Sequence, residues 1–165
     1  MFTWKYLDIE TNEVESIRQQ YLDYFQTSPP TSHFFQTCDI GIKTFLNMPV
    51  FKTSVIYLDG NTSGPIHEDV RPGGQVLGLL IPLINCNDSS TEIYESIVEP
   101  LVKINGENRT YNYYEPAGCI KIADYVLTQP VLLNTSLPHC VFNYSNQHRV
   151  ALAICFETDP WHLTN

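Results

Sequence analysis

Basic residues are scarce in this chain: nine lysines and arginines stand against 18 aspartates and glutamates, for a formal net charge of −9. So acidic a surface repels a phosphate backbone, which argues against a nucleic-acid partner. The sequence also lacks a basic amphipathic helix, the usual means of attachment to an anionic membrane surface. No apolar run reaches bilayer-spanning length, so no membrane partner is expected. The N-terminus, MFTWKYLDIE, has neither the basic nor the apolar region of a secretory leader. The five cysteines (Cys38, Cys86, Cys119, Cys140, Cys155) include no C-x-x-C pair. They read as small buried hydrophobes in a reducing compartment, so the expected location is cytoplasmic. Also missing are G-x-G-x-x-G, G-K-[ST] and G-x-S-x-G, which removes the main nucleotide-binding and serine-hydrolase readings. Nothing in the sequence sets an oligomeric state.

What is present is a globular composition, 43% apolar and 16% charged over 165 residues. That is one domain's worth of chain, able to bury a core without disulfides. Ten tyrosines, eight phenylalanines and eleven prolines favour sheets joined by defined turns. One segment, TNEVESIRQQYLDYFQTSPP, carries a helical apolar stripe of Val14, Ile17, Tyr21, Tyr24 and Phe25, with Asn12 as cap and Pro29-Pro30 as terminator. From residue 51 onward only strand signals occur: TSVIYLDG, GPIHEDV, QVLGLLIPLI, TEIYESIV, RTYNYYEP, GCIKIADYVL, PVLLNT, PHCVFN and RVALAICFE, separated by clusters such as Asp59-Gly60-Asn61 and Asn105-Gly106. The expected fold is mainly β: an antiparallel jelly roll, or double-stranded β-helix, with a helical layer packed outside. Residues 1–165 form a single domain, with 1–50 as helical and loop support and 51–157 as the jelly-roll core.

Two places carry chemistry. His67 and Asp69 in GPIHEDV point to one side of a strand, while Glu68 points away. His139 opens a later strand. Two imidazoles and one carboxylate hold a non-haem ferrous ion on one face and leave other positions open; manganese, cobalt, nickel and zinc also suit such a set. Arg149, ten positions past His139, can hold an organic carboxylate through paired hydrogen bonds. A hairpin pairing Asn143 with Arg149 turns Arg149, Ala151, Ala153 and Cys155 inward, leaving Val150, Leu152, Ile154 and Phe156 to meet the helix. The register shifted by one does the opposite. The first is preferred, because small inward residues leave room for a ligand. Alternation turns Cys140 away from the metal and His148 away from Arg149. Trp4 and Trp161 read as hydrophobic anchors, and Arg71, just past Asp69, as a solvated turn residue within reach of a substrate.

At these residues the chain resembles the Fe(II)/2-oxoglutarate-dependent dioxygenase superfamily, whose signature is H-x-D/E, a distant His, and Arg or Lys about ten residues on. Here that is His67-Glu68-Asp69, His139 and Arg149. The block HCVFN…R (His139, Val141, Asn143, Arg149) is similar to that of the aspartyl/asparaginyl β-hydroxylase branch, and LLIPLINCNDSSTEIYE resembles a segment of small stand-alone members. The strand after H-x-D, QVLGLLIPL, lacks the additional basic residues of that branch. The resemblance covers roughly residues 51–157. It implies His67, Asp69 and His139 as catalytic metal ligands for Fe(II), with 2-oxoglutarate and O2 as co-substrates. It assigns Arg149 to the distal carboxylate and names Tyr57, Asn143 and Thr91 as further co-substrate contacts. The implied reaction is hydroxylation of a C–H bond in a small-molecule or peptide substrate, with succinate as co-product. Two other readings fit the same residues: a cupin-type metal enzyme that does not use 2-oxoglutarate, and a non-catalytic jelly-roll binding module.

Overall fold

A computed structural model describes residues 2–27, 35–69, 72–104 and 110–165. Along the chain run β1 (Trp4–Tyr6), α1 (Thr11–Thr27), β2 (Phe35–Cys38), β3 (Thr44–Phe45), β4 (Met48–Leu58), β5 (Thr62–Ser63) and β6 (Ile66–Glu68). Then come β7 (Leu77–Ile84), β8 (Ser89–Ser96), β9 (Leu101–Ile104), β10 (Thr110–Tyr114) and β11 (Cys119–Tyr125), followed by β12 (Val131–Asn134), β13 (His139–Asn143) and β14 (Arg149–Phe156). Every pairing is antiparallel. One sheet has the order β1-β12-β7-β14-β4-β2, with β3 attached to β4; the other runs β11-β8-β13-β6-β10-β9, with β5 attached to β13. This is the expected jelly roll. Among the described residues no helix is long and apolar enough to cross a membrane.

Alternation divides each strand of the first sheet between two cores. Val150, Leu152, Ile154 and Phe156 of β14 pack with Ile17 and Tyr21 of α1, and Val14, Tyr24 and Phe25 join them, so the helical stripe covers the sheet's outer face as its spacing predicts. Ala151 and Ala153 look the other way, into the space between the sheets, with Leu80, Ile93, Tyr125, Val131 and Leu133. Trp4 anchors this inner core by meeting Tyr6 edge-on and Tyr125 at a tilt, whereas Trp161 is half exposed.

Three expectations are corrected. The helix begins at Thr11, and the Glu10 carbonyl accepts from the Glu13 and Val14 amides, so Asn12 lies inside the first turn rather than capping it. Its proposed terminator, Pro29-Pro30, lies outside the described residues, as does Asn105-Gly106. Residues 1–50 are more than support: β1 and β2 pair with β12 and β4 as strands of the first sheet, and β4 itself starts at Met48. Short edge strands carry too few alternating positions to stand out from loop. Finally, β13 and β14 do not form a hairpin. They belong to opposite sheets, and residues 144–148 cross between them. The inward side of each strand is nonetheless the one expected, because both inner faces look into the same interior.

The crossing is pinned against the turn after β4. Asn61 donates its amide to the Ser145 carbonyl at 2.8 Å. A Cβ on Gly60 would stand 2.5 Å from the Asn146 carbonyl carbon, so only glycine permits this approach.

Candidate active site

The second sheet brings the two histidines together. His67 of β6 and His139 of β13 are direct cross-strand partners. Both are buried, and their ring centroids lie 4.4 Å apart. Each ring is oriented in the same way: Nδ1 of His67 lies 3.0 Å from the Pro65 carbonyl, and Nδ1 of His139 lies 2.9 Å from that of Leu137. A carbonyl only accepts, so in a neutral ring each Nδ1 carries the proton and each Nε2 has the lone pair that a metal would use. Asp69 follows the end of β6, its amide bonded to the Thr135 carbonyl at 3.0 Å. Its Oδ1 stands 3.9 Å from His67 Nε2, and its side chain is about one-third exposed. Donors bound at right angles about 2.1 Å from one ion lie about 3.0 Å apart, so this pair is open by about 1 Å. Accordingly, among the described residues no trio of His, Cys, Asp or Glu is closed tightly enough to hold an ion as it stands. The two imidazoles adjoin each other, and the partly exposed Asp69 carboxylate approaches one of them.

The strand end is braced from its other face. Glu68 accepts from the Tyr114 hydroxyl at 2.6 Å and the Asn112 amide at 3.0 Å, both on β10. Cys140 likewise faces out, its thiol 3.1 Å from the Gly64 carbonyl.

Arg149 enters the interior from the first sheet. It is only 1% exposed, and its Nε donates to Ser89 Oγ at 3.0 Å. Ser89 in turn donates to the Cys86 carbonyl at 2.6 Å, which fixes the hydroxyl as acceptor and aims the guanidinium. Nη1 has no partner. Burial lowers the Arg149 pKa from its ordinary value, while Cys86 and Tyr125 act in the opposite sense. Nearby, Thr91 Oγ1 and Tyr125 Oη are also buried and make no well-aligned hydrogen bond among the described residues, although the two side chains lie close enough to act on each other. These two residues are cross-strand partners on β8 and β11. Burial pushes the Tyr125 phenol up, with Thr91 and the Arg149 charge pulling it down. Ser54 Oγ, on β4 opposite Ala153, is unpartnered as well. Native interiors leave few polar atoms unsatisfied, and each such atom marks strain, a functional role or a group that binds there.

The register sets the distance between the two clusters. On β13, His139 faces Ile93 of β8 while Asn143 faces Ser89, four residues away. That is about 13 Å of strand, spanned from one end by imidazoles and from the other by a long guanidinium side chain. Thr91 lies midway.

Of the residues expected to contact the co-substrate, Arg149 and Thr91 face this interior, and two do not serve as expected. Tyr57 is a cross-strand partner of Val150, so it points to the helix side, where it stacks on His148 at 5.5 Å between centroids. One step of alternation separates it from Ile56 and Leu58, which face inward. Asn143 faces inward, but its amide is already committed. It lies 2.8 Å from the Gln147 carbonyl, 3.0 Å from that of Asp59 and 3.4 Å from that of Leu58, and its Oδ1 accepts from the Ser145 amide. It ties the crossing to β4 and so sets the start of β14. Arg71 lies outside the described residues. Ser89 and Tyr125 escape sequence reasoning; inward alternation with Thr91 and Ile93 on β8 would have flagged Ser89, but nothing in GCIKIADYVL singles out Tyr125.

No protein-family model matches this sequence, and no curated protein does. Solved structures do share its fold. The epimerase SnoN, in complex with Fe3+, alpha ketoglutarate and nogalamycin RO, aligns at a TM-score of 0.61 over 95% of this chain and 79% of its own, with 10% identity. The non-heme alpha ketoglutarate dependent carbocyclase SnoK from nogalamycin biosynthesis aligns at 0.54 over 93% and 79%, with 8% identity. A Pseudomonas putida prolyl-4-hydroxylase aligns at 0.52 over 94% and 92%, with 12% identity. The likeness is one of fold: this chain shares its double-stranded β-helix with oxygenase-like proteins of the cupin kind, and nothing in it singles out the aspartyl/asparaginyl branch.

Proposed function

We propose that this protein is a non-haem Fe(II)- and 2-oxoglutarate-dependent oxygenase that hydroxylates a C–H bond of an organic substrate. His67, Asp69 and His139 are the metal ligands, and Arg149 anchors the distal carboxylate of 2-oxoglutarate. One observation carries the reading: the Arg149 guanidinium is buried with Ser89 as its hydrogen-bond partner, and Nη1 has none. A buried cation without an anion costs several kcal/mol, and a carboxylate entering the interior would offset that cost.

The donor set fits the metal. Two Nε2 lone pairs, each set by an Nδ1–carbonyl contact, and one carboxylate match the facial ligand set of non-haem ferrous sites. Bound there, ferrous iron supplies dioxygen activation coupled to oxidative decarboxylation of 2-oxoglutarate to succinate and carbon dioxide. The chain's residues do the rest. Arg149 receives the far carboxylate, and the buried Thr91 and Tyr125 hydroxyls donate to it. Ser89 holds the guanidinium in line, while Ala151 and Ala153 leave room beside it. Leu80, Ile93 and Leu133 exclude water.

Incubation with Fe(II), ascorbate and 2-oxoglutarate should yield succinate, and His139→Ala should abolish it. Anaerobic addition of 2-oxoglutarate to the Fe(II)-loaded protein should raise a metal-to-ligand charge-transfer band. Metal binding with neither band nor succinate would refute the proposal and favour a cupin-type site that does not use 2-oxoglutarate.

A further inference from the structure

The hairpin of β9 and β10 extends the second sheet outward from His67, and its inner face continues the wall of the candidate site. Tyr113 pairs with His67, Leu101 pairs with Tyr113, and Lys103 pairs with Tyr111. By alternation all four hairpin residues share the face of His67, while Asn112 and Tyr114 turn to the far side to hold Glu68. The Tyr111 ring meets His67 edge-on at 6.1 Å. The Lys103 ammonium sits 3.3 Å above the Tyr113 ring. Cation–π contact of this kind holds the charge in place without neutralising it.

Two facts make that lysine stand out. The chain is strongly acidic, with twice as many carboxylates as cationic side chains. Yet Lys103 has no carboxylate partner among the described residues, whereas Lys43 and Lys121 both do. Glu115 engages the Tyr113 hydroxyl. The path from His67 therefore crosses two tyrosine rings and exposed Leu101, then ends on a positive charge with no carboxylate partner among the described residues.

From this we infer that the β9–β10 hairpin is the substrate-recognition arm, and that the substrate is an amphipathic organic acid: an apolar aryl or alkyl body with a carboxylate or phosphate seated on Lys103. Two strand spacings and two residues separate Lys103 from His67, about 12 Å between Cα atoms. The acidic group thus lies on the order of 10 Å from the carbon presented to the metal side. The inference rests on the proposed metal centre only for which carbon reacts; the binding preference stands apart from it.

The test is calorimetric binding to the full chain as purified, without turnover, using 8-phenyloctanoate and the neutral 8-phenyloctanol as probes, with dodecyl phosphate to compare headgroups. The acid should bind about ten-fold more tightly than the alcohol, the worth of one charge-assisted hydrogen bond. Lys103→Met should erase that preference, Lys103→Arg should keep most of it, and added salt should shrink it. A stronger response to dodecyl phosphate would assign the headgroup as phosphate within the same proposal. Equal binding of acid and alcohol, no binding of either, or an acid preference that survives Lys103→Met overturns it. Lys103 is exposed, so an unchanged melting temperature should certify each variant's fold. An acid preference in a protein that forms no succinate would refute the oxygenase reading and leave this one intact.

Discussion

Replacing Arg149 with methionine separates a ligand anchor from a structural keystone. Among the described residues the guanidinium makes one hydrogen bond, from Nε to Ser89, and leaves Nη1 unpartnered while buried. Methionine forfeits that bond, about 1 kcal/mol, but removes a buried charge whose desolvation costs several kcal/mol. Arg149→Met should therefore be within about 1 kcal/mol of the wild type, or more stable, in denaturant titrations without ligand. The order reverses with co-substrate. At about 100 times its dissociation constant, 2-oxoglutarate should stabilise the metal-loaded wild type by about 2.7 kcal/mol, or roughly 5 to 10 °C in a domain of this size. The variant should show a small fraction of that shift. If ligand-free Arg149→Met instead loses more than about 3 kcal/mol, and wild type ignores 2-oxoglutarate, the guanidinium has a structural role and the proposed function loses its main support.

The neighbouring hydroxyls give a second contrast: Tyr125→Phe should weaken 2-oxoglutarate binding about five- to ten-fold, the worth of one hydrogen bond, whereas Tyr57→Phe should leave it unchanged in the same titration, because Tyr57 faces the helix. Asp69→Ala should lower Co(II) affinity at least about ten-fold by absorption titration, as loss of one of three donors requires; unchanged affinity would remove Asp69 from the ligand set. Stability should also fall in alkali. Burial pushes the Cys140 thiol from 9.0 up to about 12, and the Tyr21 phenol from 10.0 up to about 12. Both groups stay protonated in the folded chain while the unfolded chain ionises, so their contribution is complete below pH 9 and declines from there to about pH 12. A denaturation midpoint that is flat from pH 8 to 11 would contradict this.

The sequence made the site easier to read than the frame around it. A period of two puts His67 and Asp69 on one side whatever the rest of the chain does, and Asp69 Oδ1 stands 3.9 Å from His67 Nε2. The inward direction of Arg149, Ala151 and Ala153 was legible for a similar reason: β14 alternates small with large residues, and a helix with an apolar stripe needs the large ones. The assumed cause was nonetheless mistaken. Asn143 and Arg149 are not partners across a hairpin; they come from facing sheets, and sequence spacing does not distinguish a tight turn from a crossing of similar length. Tyr57 shows the limit of carrying over a position by counting. One residue either way on β4 reverses the face, and only the pairing of Val150 with Tyr57 decides it.

The crossing has a consequence for how the site forms. Every candidate metal ligand comes from the second sheet or the residue beyond it, and so do Ser89, Thr91 and Tyr125; Arg149 alone comes from the first. An anion held between metal and guanidinium therefore bridges the sheets, and its binding energy adds to the packing of Ala151 and Ala153 against Ile93 and Tyr125. Asn143 fixes the relation in advance, since its amide ties β13 to the end of β4 and to the residue two before Arg149. Asn143→Ala should therefore loosen co-substrate binding without touching the ligand, by letting the start of β14 drift relative to Ser89. A weaker hold on 2-oxoglutarate with unchanged Co(II) affinity is the expected signature. Equal loss of both would mean that Asn143 supports the whole second sheet rather than the approach of one sheet to the other.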